Sequence, residues 1–388
     1  MRSSLSPFLA VSLLLAASLH AQTGSILTYV VPPGGEGAAS VALGVAIPGG
    51  PSSMEINPAL LAWEGARTSS VVQYSWSQMD LLTFTNRSDL HQEIRSFGIR
   101  YPFKPGTDLA LGYSWNHMEF GRTTYSAPGV PEQDIHSDET VHHFVLSGRL
   151  GGIASVGVGY KSADSRLAPG MIVAPGDTIR GTASADSWDV GLMMAPRWRI
   201  PTTAVRVGPS LGVSWINVDE DQMVNYGTDE HDAIPHVRRW GTGLTVFMPD
   251  LVSVDLFLED ETDVSPDYPQ ETQRYQGWSL DVLGLFKISS ADLTDPGGAR
   301  RETHESYQAT FDLKQIWRLR GRLESGDWTS LPSDRAKDYP LPTWDILGAK
   351  VSPNLRLTYT KMHVRGWEYR GASSANDGQE RIGWAIYL

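Results

Sequence analysis

The sequence predicts an all-β protein: an antiparallel transmembrane β-barrel of about 14 strands with a hatch segment near its N-terminus. Three observations predict it. Short segments alternate between bulky apolar and small or polar residues with period two. The connections between them alternate long and short, as in a barrel with short periplasmic turns and long outer loops. Beyond residue 22 no run of apolar residues is long enough to cross a bilayer as a helix.

The N-terminus reads as a targeting segment. Arg2 supplies the positive charge and Phe8–Ala17, "FLAVSLLLAA", the apolar stretch. "SLHA" offers cleavage after Ala21, with Gln22 first in the mature chain, although Leu19 is large for its place before the cut. The expected organisation is a signal peptide at 1–21, a hatch at 22–66 and the barrel at 67–388.

Composition narrows the function classes. The chain has 388 residues, 32 basic and 44 acidic, for a net charge of −12. Loss of Arg2 leaves 31 − 44 = −13. No basic excess is available for phosphates, so no nucleic-acid partner is expected. Cysteine is absent, which excludes a disulfide framework, thiol catalysis and cysteine-held metal. The 13 Trp and 14 Tyr suit a membrane–water interface as well as a core.

Along the chain the strand period recurs. Thr107–Glu119 sets Leu109, Leu111, Tyr113 and Trp115 against Ala110, Gly112, Ser114 and Asn116. Ser155–Lys161 sets Val156, Val158 and Tyr160 against Ser155, Gly157, Gly159 and Lys161. Val190 and Val213 fall on bulky rows in the same way, with Ser214 opposite. Long connections after Arg67–Met79 and at 119–138, 164–183, 218–235, 262–274, 326–343 and 366–379 separate short ones at 104–107, 151–152, 197–202, 248–251 and 352–354. The irregular region is 289–303, read as a medium connection, followed by an overlong strand or hidden turn at 304–325. The chain closes on "RIGWAIYL", an alternating apolar strand.

The hatch is expected because a wall of 14 strands encloses a lumen too wide for its own side chains to fill. Small-residue Gly35–Ala46, "GEGAASVALGVA", precedes Asn57, Pro58, Ala59 and Leu60. Asn before Pro at a first helical position starts a helix, so "PALLAW" predicts a short apolar one. A helix covering the periplasmic mouth is the alternative placement.

Catalytic and metal patterns are weak. "GPSLG" (Gly208–Gly212) has the spacing of a nucleophile elbow, but Ser210 lies mid-strand with no helix after it. The protein is therefore expected to be non-enzymatic, with no cofactor and no metal. Asp219, Glu220, Asp221, Asp229, Glu230 and Asp232 form an acidic stretch that fails the EF-hand pattern at Met223. These residues, and Glu259, Asp260, Glu261 and Asp263, are expected in solvated outer loops. There they would contact cations on lipopolysaccharide or a partner. His142 and His143 point to opposite faces of a strand and cannot chelate together.

The leader, the small-residue segment, the "NPA" turn and the barrel together resemble the PorV/PorQ family of outer-membrane proteins, related in fold to the FadL transporters. "DSWDVGLMM" (Asp186–Met194) is similar to the family's D-x-G strand, with Asp189 and Gly191 at the marked positions. "IPHVRRWGTGLTV" (Ile234–Val246), led by Pro235, is similar to a second family strand. "SLGVSWINV" matches more loosely at Asn217, and the acidic residues that usually precede "NPA" are replaced by Pro48, Gly49 and Gly50. The resemblance implies an outer-membrane location among lipid and lipopolysaccharide. It also implies a role in type IX-like secretion or surface attachment of cargo, with secretion-system components as partners. The alternative that it implies is a FadL-like channel for hydrophobic small molecules.

Overall fold

A computed structural model describes residues 44–47, 51–63, 70–79, 90–104, 106–125, 129–166, 172–174, 177–178, 182–218, 223–225, 231–233, 236–264, 272–294, 300–326, 344–346, 349–351, 354–369, 372–374 and 377–387. For β1 and for parts of several other segments only the backbone is described. The leader and its cleavage site lie outside the described residues.

Sixteen strands share one sheet, and two of them, Trp198–Arg199 and Ala372–Ser374, are short additions to a single neighbour. The remaining fourteen form the wall. They are β1 (Ser70–Met79), β2 (Leu90–Lys104), β3 (Thr107–Tyr125), β4 (Gln133–Leu150), β5 (Ala154–Arg166), β6 (Thr182–Met194) and β7 (Arg206–Ile216). They continue as β8 (Val237–Met248), β9 (Val252–Asp263), β10 (Thr272–Val282), β11 (Phe286–Thr294), β12 (Arg300–Asp312), β13 (Asn354–Tyr369) and β14 (Asp377–Tyr387). Each pairs antiparallel with the next. β14 pairs back to β1, from Val71↔Tyr387 to Met79↔Gln379. Every wall strand therefore has a hydrogen-bonded partner along both edges.

Burial along these strands runs opposite to that of a water-soluble barrel. The large apolar side chains are the exposed ones. Leu111 is 55% accessible, Leu146 50% and Leu256 49%, and Val158, Trp188 and Leu211 behave alike. The alternate positions are polar and buried: Ser96, Ser114, Asn116, His143, Ser147, Lys161, Ser187, Asp189, Ser214, Glu259 and Ser306. The interior thus takes the polar residues and the outside the apolar ones, which suits lipid around the wall and not water. His142 and His143 divide between the two faces, His142 half-buried beside Tyr113 and His143 fully buried.

The tight turns lie at one end. Gly106 (φ 76°) and Gly152 (φ 66°) occupy neighbouring turns, with Gly152 N donating to Gly106 O at 2.6 Å. A Cβ on Gly106 would stand 2.8 Å from Gly152 N, so close approach requires glycine there. Both ends of the wall's chain path, Ser70 and Tyr387, lie at this same end, since β1 pairs Ser70 with Ile99 and Val71 with Tyr387.

The strand count agrees with the expectation, but two boundaries do not. The single strand expected between the connections at 262–274 and 289–303 divides at a turn, Leu283–Leu285, because Leu283 and Gly284 both adopt positive φ. The expected medium connection at 289–303 is largely strand: β11 ends at Thr294 and β12 begins at Arg300. Conversely 344–351 does not enter the wall: Trp344–Ile346 and Ala349–Val351 pair only with each other. The two differences cancel.

The overlong strand at 304–325 resolves into the end of β12 and a helix, α1 (Leu313–Ser325). Asp312 caps it, its side chain accepting from Gln315 N at 2.8 Å. Gly326, at φ 67°, ends it, its N–H bonded to Arg322 O. The acidic Glu259, Asp260 and Glu261, expected in a solvated loop, lie instead within β9 and are buried. β9 extends through these charges because each finds a partner: backbone N–H groups for Glu259, Arg274 for Asp260 and Arg239 for Glu261.

The inside-out wall makes a direct prediction. Leu146→Arg and Val158→Arg, placed on the outer face, lower folding stability in vesicles by about 2–4 kcal/mol. Gln308→Arg on the buried face of β12 costs less. Urea titration of the refolded barrel measures the ranking, and a reversed order means that the outer face does not meet lipid.

Candidate functional site inside the barrel

The predicted helix start at Asn57 is present. Pro58–Trp63 is a 3-10 helix, and all six residues are buried. Leu60 N bonds to Asn57 O at 2.9 Å, and the Asn57 side-chain oxygen accepts from Ala59 N at 3.1 Å. Asn57 thus satisfies an orphan donor of the first turn, and Pro58 has no N–H to satisfy. A shorter 3-10 helix, Pro51–Glu55, precedes it.

Residues 44–47 and 51–63 lie against the buried face of successive wall strands, where glycines leave room for them. A Cβ on Gly112 of β3 would stand 2.6 Å from Leu61 and 2.7 Å from Met54. One on Gly157 of β5 would meet the Pro58–Ala59 backbone, one on Gly191 of β6 the Asn57 side chain, and one on Gly212 of β7 the Val45 carbonyl. On the far side Ile47 packs beside Phe257 of β9 and Ala291 of β11, and Val45 and Ile56 beside Tyr275 of β10. One short stretch therefore touches wall strands from β3 round to β11.

Hydrogen bonds fix it at several points. The Asn57 amide donates to Val45 O at 3.0 Å and to Leu192 O of β6 at 3.1 Å. Ala59 O accepts from Ser147 (3.3 Å) and Ser155 (2.9 Å), and Trp63 Nε1 donates to Ser155 Oγ. Opposite, one carboxylate of β9 holds two backbone amides: Glu259 Oε2 accepts from Gly44 N at 2.9 Å and Oε1 from Ala46 N at 3.2 Å. Charge-assisted bonds of this kind are about twice as strong as neutral ones.

A buried charged cluster lies beside this segment. His143 of β4 stands between two carboxylates, its Nδ1 3.2 Å from Glu55 and its Nε2 3.4 Å from Asp189. Lys161 Nζ of β5 is 2.7 Å from the same Asp189 oxygen. The other Asp189 oxygen accepts from Asn217 N at 2.9 Å, and Ser114 donates to Glu55. Asn217 holds a left-handed conformation (φ 56°), tolerable for Asn, and its side chain accepts from Ser187. Glu55 belongs to the inner segment and the others to the wall, so the cluster ties one to the other. Removing one member of such a buried set leaves an uncompensated charge.

The residues singled out in the sequence separate into two groups. Asn57, Pro58, Ala59, Leu60, Asp189 and Gly191 come together: the Asn57 side chain fills the space over Gly191, and Asp189 is two residues before it on the same face. Pro235, Asp219, Glu220, Asp221, Asp229 and Glu230 lie outside the described residues. Asp232 sits in a small hairpin, His231–Ala233 against Met223–Asn225, apart from the wall sheet, and its side chain is not described. Ser210 is mid-strand in β7, paired with Gly243, and the ladder continues past it to Ile216. Sequence reasoning missed Glu55, His143, Lys161 and Glu259 as parts of the cluster and its counterpart. For His143, Lys161 and Glu259 the one visible signal was a polar or charged residue on the inward face of a strand; Glu55, in the 3-10 helix Pro51–Glu55, had none.

Comparison with known proteins finds no matching family model and no matching curated protein. Solved structures do match. The toluene transporter TodX of Pseudomonas putida has 8% identity over 90% of this chain and 97% of its own, with a TM-score of 0.42. A FadL homologue of Pseudomonas aeruginosa has 12% identity over 91% and 97%, with a TM-score of 0.42. The monoaromatic hydrocarbon channel CymD has 9% identity over 91% and 98%, with a TM-score of 0.44. At these scores the likeness is loose, and the fold rests on the strand pairings above. The PorV/PorQ resemblance is not confirmed by these comparisons, and the secretion role that it implies gains no support from them.

The packing makes its own prediction. Asn57→Ala removes three hydrogen bonds and leaves the Ala59 N–H without its cap, loosening the segment by about 1–3 kcal/mol. Gly191→Val displaces Asn57 by collision and acts in the same direction. Amide exchange over 44–63 in the inserted barrel rises in both variants while exchange in the wall strands stays unchanged. Unchanged exchange in the segment contradicts the role given to Asn57.

Proposed function

We propose that the chain is an outer-membrane barrel whose lumen is plugged by Gly44–Trp63 and which admits small hydrophobic molecules when that plug shifts, a channel of the FadL-like kind. The observation that carries this reading is the contact of one short buried segment with wall strands from β3 to β11.

The choice of an apolar solute follows from what the plug covers. The inner wall is mostly polar, but beneath the plug it carries apolar groups. Met54, Leu61 and Ala62 pack on Ala110 and Val145. Ala59, Leu60 and Trp63 pack on Met193 and Ala195. Moving the plug bares both apolar surfaces to water at a cost of roughly 25 cal/mol per Å². A hydrophobic solute of suitable size offsets that cost and a sugar or ion does not. The same site that holds the plug thereby selects what can take its place. Asn57, Glu259 and the Glu55–His143–Asp189–Lys161 cluster set how firmly it is held.

Deletion of Gly44–Trp63 tests the reading. The shortened barrel still inserts, because no wall strand is touched, and its single-channel conductance rises well above that of the intact protein in planar bilayers. Uptake of a fluorescent aromatic hydrocarbon into vesicles is carried by the intact protein, while uptake of a disaccharide is not. An inserted deletion variant with unchanged low conductance removes the plug from the reading. An intact barrel that passes the disaccharide as readily as the hydrocarbon removes the apolar solute.

A further inference from the structure

We propose that α1 is an interfacial helix, lying along the barrel rim in the headgroup layer of the leaflet nearest the short turns. Its outward apolar residues enter the lipid and its cations meet the phosphates of anionic phospholipids. The inference rests on the lipid-facing wall and not on the channel reading.

Position comes first. α1 leaves the end of β12 and runs beneath the turns of four strands. Gln315 Nε2 donates to Leu283 O, in the β10–β11 turn, at 2.7 Å. Arg322 donates from Nε and Nη2 to Asp250, in the β8–β9 turn, at 3.1 and 2.8 Å. Gln315, Leu319 and Arg322 are the buried face, spaced as one side of a helix. The helix is thus pinned tangentially along the rim, parallel to the membrane plane.

Its outward face carries large apolar side chains, with the Arg320–Glu324 pair among them. Leu313, Ile316 and Leu323 are exposed, Leu323 at 71%, the most accessible large hydrophobic residue among those described. This face continues the lipid-facing wall, for Tyr307 and Phe311 lead along β12 into Leu313 on the same outer side. Exposed Val252, Val282, Phe286 and Leu355 stand on the wall strands that rise from the same rim. An apolar face continuous with a lipid-covered wall is covered most simply by the same lipid.

Charge selects the headgroup. Within 313–325 the helix carries Lys314, Arg318, Arg320 and Arg322 against Glu324, in a chain of net charge −12. Arg322 is committed to Asp250, whereas Arg320 is mostly exposed, with Glu324 at 2.7 Å and its guanidinium over the Trp317 ring on the same helix. Burial and the neighbouring Arg318 push the Lys314 ammonium down from its ordinary pKa, and a nearby phosphate anion relieves that repulsion. A basic amphipathic helix with Leu and Ile on one face is the pattern of an in-plane membrane helix.

The chain lacks cysteine, so Leu323→Cys introduces a single attachment point for a nitroxide label. The full-length labelled protein is refolded into phosphatidylglycerol-containing vesicles. The label at 323 is several-fold more accessible to oxygen than to a nickel chelate, and a label at Gly326→Cys shows the reverse. Replacing the vesicles by phosphatidylcholine alone raises chelate access at 323, and the Lys314→Gln/Arg320→Gln variant loses that dependence on lipid charge. A label at 323 as open to the chelate as that at 326 overturns the proposal. Dipolar broadening between labels at 323 also overturns it, since a second copy then covers the face. A response to lipid charge that persists in the double variant overturns the assignment of the cations.

Discussion

The structure depends first on the need of every strand edge in hydrocarbon for a hydrogen-bonding partner. Lipid tails accept no hydrogen bond, so a spanning strand survives only with a neighbour on each side. Fourteen antiparallel strands meet that need by pairing in succession from β1 to β14, and β14 returns to β1. Two further features follow from it. Side chains alternate, so a lipid-facing apolar row forces a second row inward. A wall of this width leaves an interior that those inward side chains do not fill.

The inner segment and the inward row are adapted to each other. Glycine at 112, 157, 191 and 212 lets backbone approach the wall, and a methyl group at any of these would collide with the segment. Serines at 147 and 155 and the carboxylate of Glu259 satisfy its carbonyl and amide groups. Close packing of backbone on backbone leaves no room for water to serve those polar groups, so the wall must supply the partners. The buried carboxylates follow the same logic: Glu55 of the segment stands beside His143 and accepts from Ser114, and Asp189 is matched by Lys161 and by an Asn217 amide.

α1 breaks the simplicity of the short-turn end. Asp312 and Gly326 delimit it, and its buried side is committed to the turns at Asp250 and Leu283. It therefore acts as a brace across two hairpins as well as an outward apolar surface. The turns that it braces contain non-glycine residues at positive φ, Asp250 and Leu283. Their carbonyl and carboxylate groups are the ones that Gln315 and Arg322 bind.

Much of the wall was legible in the sequence because a strand's two faces are written by a local rule. Leu111 against Gly112, or Val158 against Gly157, needs no knowledge of the rest of the chain. Asn57 and Pro58 announced a helix start for an equally local reason, the capping of orphan amides. Even α1 carried local signals at Asp312, Gln315 and Gly326, hidden by the expectation of another strand there. What only the tertiary structure decided is which distant groups meet. Glu259 reads as one of an acidic run, and its partners, Gly44 and Ala46, lie 215 and 213 residues away. His143, Lys161 and Asp189 sit on separate strands and converge only once register is set. The sequence by itself determined the alternation, and the long and short connections led to the expectation that the bulky face meets lipid. The burial of charge and its pairing came from strand register and from the entry of Gly44–Trp63, because a charge is tolerable inside only where its counterpart has been brought by the fold.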